Sequence, residues 1–185
     1  MCSSDLVEVD AQGRRAVQLA WAPVFDAEEG NSEVIFLVDC SGSMAGTSIV
    51  EARRALSLSL RSLTSRCRFN LARFGSTHEM LFPDSVPYDD STLARADQWV
   101  SQLQADMGGT EILPALEAVL RGRPDAGTPR QLLVLTDGEV SNTEAVLSFV
   151  KRHSETTRVF AFGLGASASR HLVRGMARAG MGAAE

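Results

Sequence analysis

The chain has 185 residues, a formal net charge of −5, and 44% hydrophobic against 22% charged residues. This length suits one ordinary domain, and the composition is that of a globular protein, which excludes wholesale disorder and a collagen-like fibre. The acidic balance has the wrong sign for a dedicated nucleic-acid binder, and no apolar run reaches the roughly 18 residues that cross a bilayer. We therefore expect no nucleic-acid partner and no insertion into a membrane.

Short apolar runs alternate along the chain with segments of helical period, which is typical of an α/β fold with a largely parallel sheet. The first strong run, residues 34–38, is apolar without alternation, as in a central strand that is covered on both faces. Apolar residues then recur from Ile49 to Leu63 at the period of a helix. The further predicted elements are, in chain order, a strand over 67–74, a short antiparallel strand over 80–82, a loop over 83–90, helices over 92–103 and 112–120, a strand over 131–136, a helix to 153 capped by Asn142 or Thr143, a strand over 158–163 and a helix over 169–179.

The two ends of the chain differ from this regular middle. Residues 15–21 alternate like a strand, and residues 23–30 have the composition of a linker. After the last predicted helix few residues follow, so we expect the sheet to lack its closing strand and helix. The sequence thus predicts a doubly wound, mostly parallel central sheet flanked by helices over 32–185, preceded at 1–31 by the tail or linker of another domain.

The residues that most often bind transition metals are sparse here. The three cysteines, Cys2, Cys40 and Cys67, show neither the density of a disulfide scaffold nor the paired spacing of a zinc site, and favour reduced thiols. The three histidines are equally scattered, with no HxxxH or HExxH spacing. The chemistry of the chain is therefore expected in other residue types.

Oxygen-bearing side chains lie where two predicted strands end. Asp39 and Asp137 each follow a buried apolar run, and open α/β sheets gather ligands at the carboxyl edge of their strands. In extended backbone alternate side chains point the same way, so Ser41 and Ser43 are expected to converge with Asp39. Thr110 follows two glycines that permit close backbone approach. Carboxylates and hydroxyls are ligands that suit a hard cation such as Mg²⁺.

Three motifs in this order, Asp-x-Ser-x-Ser, Gly-Gly-Thr and Thr-Asp-Gly, resemble the metal-ion-dependent adhesion site of the von Willebrand factor type A domain. The segments FGS at 74–76, ADMGGTEI at 105–112 and TDGEV at 136–140 are most similar to proteins that carry an inter-alpha-trypsin-inhibitor (VIT) domain before the A domain. That group comprises the von Willebrand A domain-containing protein 5 type, the vault poly(ADP-ribose) polymerase and, more distantly, the inter-alpha-trypsin inhibitor heavy chains. The resemblance covers about residues 32–185 and implies a Rossmann-like fold, with a VIT-like domain as the source of 1–31.

The resemblance also implies a function. Asp39, Ser41, Ser43, Thr110 and Asp137 match the family's five metal-binding positions, with Mg²⁺ as the expected ion and Mn²⁺ or Ca²⁺ as alternatives. One coordination position would stay open for an exposed Asp or Glu of a partner protein. We therefore expect a cytoplasmic, metal-dependent protein-binding module rather than an enzyme. The alternative is a structural module that holds the metal but packs against neighbouring domains of a longer chain; the oligomeric state stays open.

Enzyme classes fit the same motifs less well. Phosphatases of the HAD type need a second aspartate where Ser41 stands, and a serine hydrolase needs a G-x-S-x-G elbow that surrounds neither Ser41 nor Ser43. The glycine-containing segment 163–168 follows a predicted strand, but no later strand and acid complete a dinucleotide site. Glu139 stays ambiguous between a group beside the metal and an acid favoured at a helix start.

Overall fold

The computed structural model describes the backbone of residues 5–9 and 15–19, and residues 31–137, 140, 142–165 and 168–185 with their side chains. The strands are β1 (Asp5–Val9), β2 (Arg15–Leu19), β3 (Ser32–Asp39), β4 (Cys67–Phe74), β5 (His78–Met80), β6 (Val86–Pro87), β7 (Arg130–Thr136) and β8 (Thr157–Gly163). The α-helices are α1 (Thr47–Arg61), α2 (Asp90–Ser101), α3 (Ile112–Val119), α4 (Thr143–His153) and α5 (Arg170–Ala179), and a short 3-10 turn covers Gly42–Met44.

One six-stranded sheet forms the centre of the fold. Its strand order is β5-β4-β3-β7-β8, with β6 paired to β4. The four long strands are parallel, whereas β5 and β6 run antiparallel to β4. The prediction of a doubly wound, mostly parallel sheet is therefore confirmed. Strands β1 and β2 form a separate antiparallel pair.

The central strand β3 is buried on both faces, which explains its unbroken apolar run. Ile35 and Leu37 belong to the hydrophobic cluster on the face covered by α3, α4 and α5. Val34, Phe36 and Val38 belong to the cluster on the opposite face, under α1 and α2. Each such side chain contributes about 1.5–3 kcal/mol by leaving water, so the position of β3 is strongly determined by burial. Its carboxyl end is thereby held at the centre of the sheet edge.

The observed elements differ from the predicted ones in a few places. The short antiparallel strand covers His78–Met80 rather than 80–82, because the backbone of Phe82 is hydrogen-bonded to the side chain of Asn70 at 2.9 and 3.2 Å. The predicted loop contains β6, which pairs with β4 over two residues. Asn142 occupies the N-cap position of α4 but its side chain makes no capping bond.

The last residues lie along the outer edge of β8. Ala161 donates its backbone N–H to Ala183 and accepts one from Glu185, and Gly163 donates to the Glu185 carbonyl at 2.8 Å. That edge of the sheet is therefore paired at this point. The predicted linker at 23–30 lies outside the described residues. No helix in the described part of the chain has the length and apolar character needed to cross a membrane.

Candidate functional site

The two aspartates singled out in the sequence lie at the ends of neighbouring parallel strands. Strands β3 and β7 pair in register, with Val38 opposite Leu135, so Asp39 and Asp137 follow at the same edge of the sheet. Asp39 is fully buried and Asp137 is 5% exposed. Two carboxylates thus lie out of water in one place, an arrangement that normally needs neutralisation or several hydrogen bonds.

Hydroxyl groups connect the loop after β3 to the end of β7. The Ser41 backbone N–H donates to Asp39 Oδ1 at 2.9 Å. The Oγ atoms of Ser41 and Ser43 are 3.0 Å apart, and Ser43 donates its hydroxyl to Asp137 Oδ1 at 2.8 Å. The structure therefore brings four of the five predicted ligands together through a continuous series of hydrogen bonds.

The local backbone places these hydroxyls differently from the expectation of an extended loop. Ser41 is extended, with φ −64° and ψ 165°, but residues Gly42–Met44 form a 3-10 turn. Ser43 consequently reaches the site through the turn rather than by alternation of side chains. The side chain of Met44 is fully buried in the hydrophobic cluster under α1 and α2 and anchors the turn.

The loop that carries Thr110 is held beside this cluster by backbone hydrogen bonds. Gly42 donates to the Gly108 carbonyl at 2.8 Å, and Met107 donates to the Cys40 carbonyl at 3.0 Å. Thr110 is half-buried. Within the described residues no hydrogen bond joins its hydroxyl to the other four side chains. The structure thus places the Thr110 loop against the site without placing the hydroxyl on the aspartates.

Burial dominates the electrostatics of the site. Removal from water raises the pKa of Asp39, hydrogen bonds from Ser41 and Thr136 oppose that effect, and the nearby negative charge of Asp137 adds to it. Ionised Asp39 therefore carries a free-energy cost in this position. A bound cation would offset that cost, because opposite charge favours the ionised form of a carboxyl group.

The donor set restricts the kind of ion that could bind. Among the described residues no group of three or more His, Cys, Asp or Glu side chains is arranged so that it could hold a metal ion. Any ion here would rely on two carboxylates and several hydroxyls, which are all oxygen ligands. This chemistry fits a hard divalent cation and does not fit a soft one that prefers thiolate or imidazole.

Sequence reasoning missed two contributors to the site. Thr136 donates its hydroxyl to Asp39 Oδ2 at 2.6 Å, and the Thr-Asp-Gly motif contained that residue without revealing its role. Arg73 at the end of β4 forms ion pairs with Glu79 at 2.7 Å and with Asp106 at 3.6 Å. It therefore ties β5 and the Thr110 loop to the sheet. Glu139, left ambiguous by the sequence, lies outside the described residues.

Comparison with known proteins decides the family. The profile of the von Willebrand factor type A domain matches residues 32–185. This chain belongs to the von Willebrand factor type A domain family. The match begins at the first residue of β3 and includes every element that carries the candidate site.

Relatives of the A domain-containing protein 5 type confirm the predicted group. Human von Willebrand factor A domain-containing protein 5B1 is 43% identical over 157 residues, which is 85% of this chain and 13% of that protein. A von Willebrand factor A domain-containing protein of Dictyostelium discoideum is 43% identical over 169 residues, 89% of this chain and 20% of that protein. The chain thus spans about a fifth or less of the length of these relatives.

Solved structures confirm the A-domain fold. A von Willebrand factor type A protein from Catenulispora acidiphila superposes with a TM-score of 0.72 at 20% identity, covering 83% of this chain and 38% of that one. Proximal thread matrix protein 1 from the mussel byssus, with a zinc-occupied MIDAS (metal-ion-dependent adhesion site) motif, gives a TM-score of 0.64 at 17% identity. That match covers 84% of this chain and 41% of the mussel protein.

Proposed function

We propose that this A domain binds a partner protein through a Mg²⁺ ion held by Asp39, Ser41, Ser43, Thr110 and Asp137. The observation that carries the proposal is the hydrogen-bonded series from Ser41 through Ser43 to Asp137 beside the buried carboxyl of Asp39. A domains often mediate protein interactions, and the cation would supply one coordination position to an Asp or Glu of the partner.

The donor set supports a hard divalent ion. Mg²⁺ and Ca²⁺ both take carboxylate and hydroxyl oxygens, and the five proposed residues offer only such ligands. The Ser41 and Ser43 hydroxyl oxygens are 3.0 Å apart, and the Ser43 and Asp137 oxygens are 2.8 Å apart, so these side chains already lie close enough together to hold one ion. The zinc-occupied motif of the mussel protein supports a divalent ion at such a motif.

Exposure favours a ligand from outside over a purely structural module. Asp39, Ser41 and Asp137 are buried, whereas Ser43 is exposed at the rim. Gly108 and Gly109 of the adjoining loop are also exposed, and they carry no side chain that would cover an ion. Among the described residues the Ser43 side of the site thus faces solvent, and the surrounding loops offer contact area for a partner.

A binding role is proposed in preference to catalysis. Burial raises the pKa of the Cys40 thiol, next to Asp39, to about 12. The thiol therefore stays protonated at neutral pH and is a poor nucleophile. Cys67 is likewise buried, and burial raises its pKa. The cytoplasmic location stays a prediction, in keeping with the reduced thiols of Cys40 and Cys67.

The test is a titration with Mn²⁺, whose electron paramagnetic resonance signal reports free ion, followed by competition with Mg²⁺. We expect one site in the wild type and loss of that site in Asp39→Asn. The asparagine keeps the size of the side chain and one acceptor oxygen for the Ser41 backbone N–H, and its NH₂ group can donate to the Thr136 hydroxyl, but it removes the charge. A matched control is Asp125→Asn, which removes the same charge from an exposed loop.

Two results would contradict the proposal. Equal Mn²⁺ binding by Asp39→Asn and by the wild type would place any ion elsewhere. Absence of any partner that is retained in Mg²⁺ and released by chelator, after metal binding has been demonstrated, would support the structural module instead. Circular dichroism of both variants separates loss of the ion from loss of the fold.

A further inference from the structure

The last helix, α5, presents a face rich in arginine to solvent. Its exposed positions are Arg170, His171, Arg174 and Arg178, whereas the residues that face the sheet are apolar and buried. Three of these residues, Arg170, Arg174 and Arg178, follow one another at intervals of four residues and form an arginine stripe. Successive arginines of this stripe are therefore about 6 Å apart along the helix axis, on one side of the helix.

The composition of α5 sets it apart from the other helices. Each of the other four described α-helices contains at least one Asp or Glu, and α5 contains none. No ion pair within 4.0 Å joins any of its arginines to an acid among the described residues. Glu185 lines a cavity together with Arg170 and Arg174, but it forms an ion pair with neither arginine.

This arrangement opposes the stability of the isolated helix. Arg170 lies in the first turn, where the positive end of the helix dipole disfavours cations. Arg174 is four residues from a like charge in both directions, which is also unfavourable. A chain of net charge −5 nevertheless concentrates these cations on one surface. Charge arrangements that cost a helix stability in this way are common at surfaces that serve binding.

The stripe also has room for a ligand and a defined place in the fold. A cavity of about 330 Å³ opens between the end of β8 and the first turns of α5, beside Arg170 and Arg174. Leu164, just after β8, donates to the carbonyl of Thr136 at 3.0 Å, one residue before Asp137. The stripe therefore starts at the same sheet edge as the candidate metal site and runs away from it along the helix.

We propose that Arg170, Arg174 and Arg178 form a docking surface for an acidic protein segment, which binds without the metal. Carboxylates spaced by one helical turn match the interval of the arginines, and guanidinium groups pair with carboxylates through two parallel hydrogen bonds. Within α5 no apolar side chain is exposed, and the single exposed Met181 just beyond the helix offers too little apolar area to insert into a membrane. A nucleic acid is disfavoured as the occupant because α5 contains no Phe, Tyr or Trp on which bases would stack.

The experiment uses the full chain in EDTA and a fluorescein-labelled helical peptide that carries Glu at every fourth position. We expect saturable binding, measured by fluorescence anisotropy, that is lost with a peptide carrying Gln instead. The variant R170Q/R174Q/R178Q should weaken binding about tenfold, since each exposed ion pair contributes modestly. The control R54Q/R121Q/R123Q removes three exposed arginines elsewhere and should leave the affinity within about twofold.

Thermal unfolding distinguishes a binding surface from a structural one. The α5 variant should unfold at the same temperature as the wild type or higher, because it removes like-charge repulsion and unfavourable charge at the helix start. If both triple variants weaken peptide binding equally, the loss comes from the change in net charge and not from the position of the arginines. That result would overturn the proposal. Tighter binding of phosphatidylserine vesicles or single-stranded RNA through the same arginines would overturn the choice of occupant. Absence of peptide binding in low salt would also overturn it.

Discussion

Thr136, the last residue of β7, donates its hydroxyl to Asp39, the last residue of β3, at 2.6 Å. Both side chains are buried, and both strands are central in the sheet. The bond therefore orients the carboxyl group of Asp39 before any ion arrives, and leaves its other oxygen to the backbone N–H of Ser41. The geometry of the candidate site thus depends on a residue that is not itself an expected ligand.

Replacement of Thr136 by valine, which has nearly the same shape, should destabilise the fold. The buried carboxyl of Asp39 would lose a donor, at a cost of about 1–3 kcal/mol in the free energy of unfolding. Urea denaturation measures this difference. The control Thr64→Val changes an exposed threonine and should stay within about 0.5 kcal/mol. Equal stability of the two variants would mean that the bond contributes nothing to folding.

Binding of Mg²⁺ should stabilise the domain. An ion that binds only the folded state adds about 2.7 kcal/mol when its concentration is a hundred times its dissociation constant. Part of that gain reflects the relief of repulsion between Asp39 and Asp137. Differential scanning fluorimetry should show a melting temperature that rises with Mg²⁺ and returns to its starting value in EDTA. In Asp39→Asn the melting temperature should not respond to Mg²⁺; an equal rise in that variant would contradict the assignment.

Thr110→Ala should weaken metal-dependent binding while leaving the fold intact. The loss of one oxygen ligand is expected to lower Mg²⁺ affinity about tenfold, or by about 1.4 kcal/mol. Because Thr110 is half-buried and its loop is held by backbone bonds, unfolding should be little affected. Proteins retained on the immobilised wild type in Mg²⁺ and eluted by EDTA should be reduced on the variant and unchanged on Thr64→Ala. If Thr110→Ala retains as much EDTA-eluted protein as the wild type, Thr110 does not belong to the proposed ligand set.

The opposite end of the sheet contains a buried ion pair that should matter for stability alone. Arg130 Nε donates to Glu33 Oε2 at 2.7 Å, and Ser85 donates to Glu33 Oε1 at 2.6 Å. Glu33→Gln leaves the buried guanidinium without its charged partner and should cost about 3–5 kcal/mol. Glu79→Gln, which breaks an exposed pair with Arg73, should cost less than about 1 kcal/mol. Similar losses in chemical denaturation would show that burial does not distinguish the two pairs.

A close backbone approach makes one glycine of the Thr110 region irreplaceable. A Cβ atom at Gly75 would lie 2.3 Å from Met107 Cβ and 2.4 Å from the Met107 carbonyl oxygen. Gly75→Ala should therefore displace the Thr110 loop, cost about 2 kcal/mol or more, and reduce Mg²⁺ affinity. Gly42→Ala, whose Cβ would meet Gly108 at an ordinary 3.7 Å, is the tolerated control. Calorimetric titration and denaturation of both variants check this; an unaffected Gly75→Ala would contradict the tight packing.

The sequence by itself determined the buried strands and the order of the motifs. Strand β4 was predicted at its observed bounds, and the central run of β3 was recognised because a strand covered on both faces must be apolar at every position. The Asp-x-Ser-x-Ser and Thr-Asp-Gly motifs also placed four oxygen-bearing residues that do lie together. Their role as metal ligands stays a prediction.

Tertiary structure alone decided how the parts of the site are connected. The hydrogen bonds of Gly42 and Met107 to other loops use backbone atoms, which every residue carries and which therefore leave no mark in the sequence. The 3-10 turn that turns Ser43 toward Asp137, and the β6 strand within a predicted loop, arise in the same way from contacts between distant segments. Apolar patterns reveal which side chains leave water, whereas pairing of polar groups depends on which segments meet after folding.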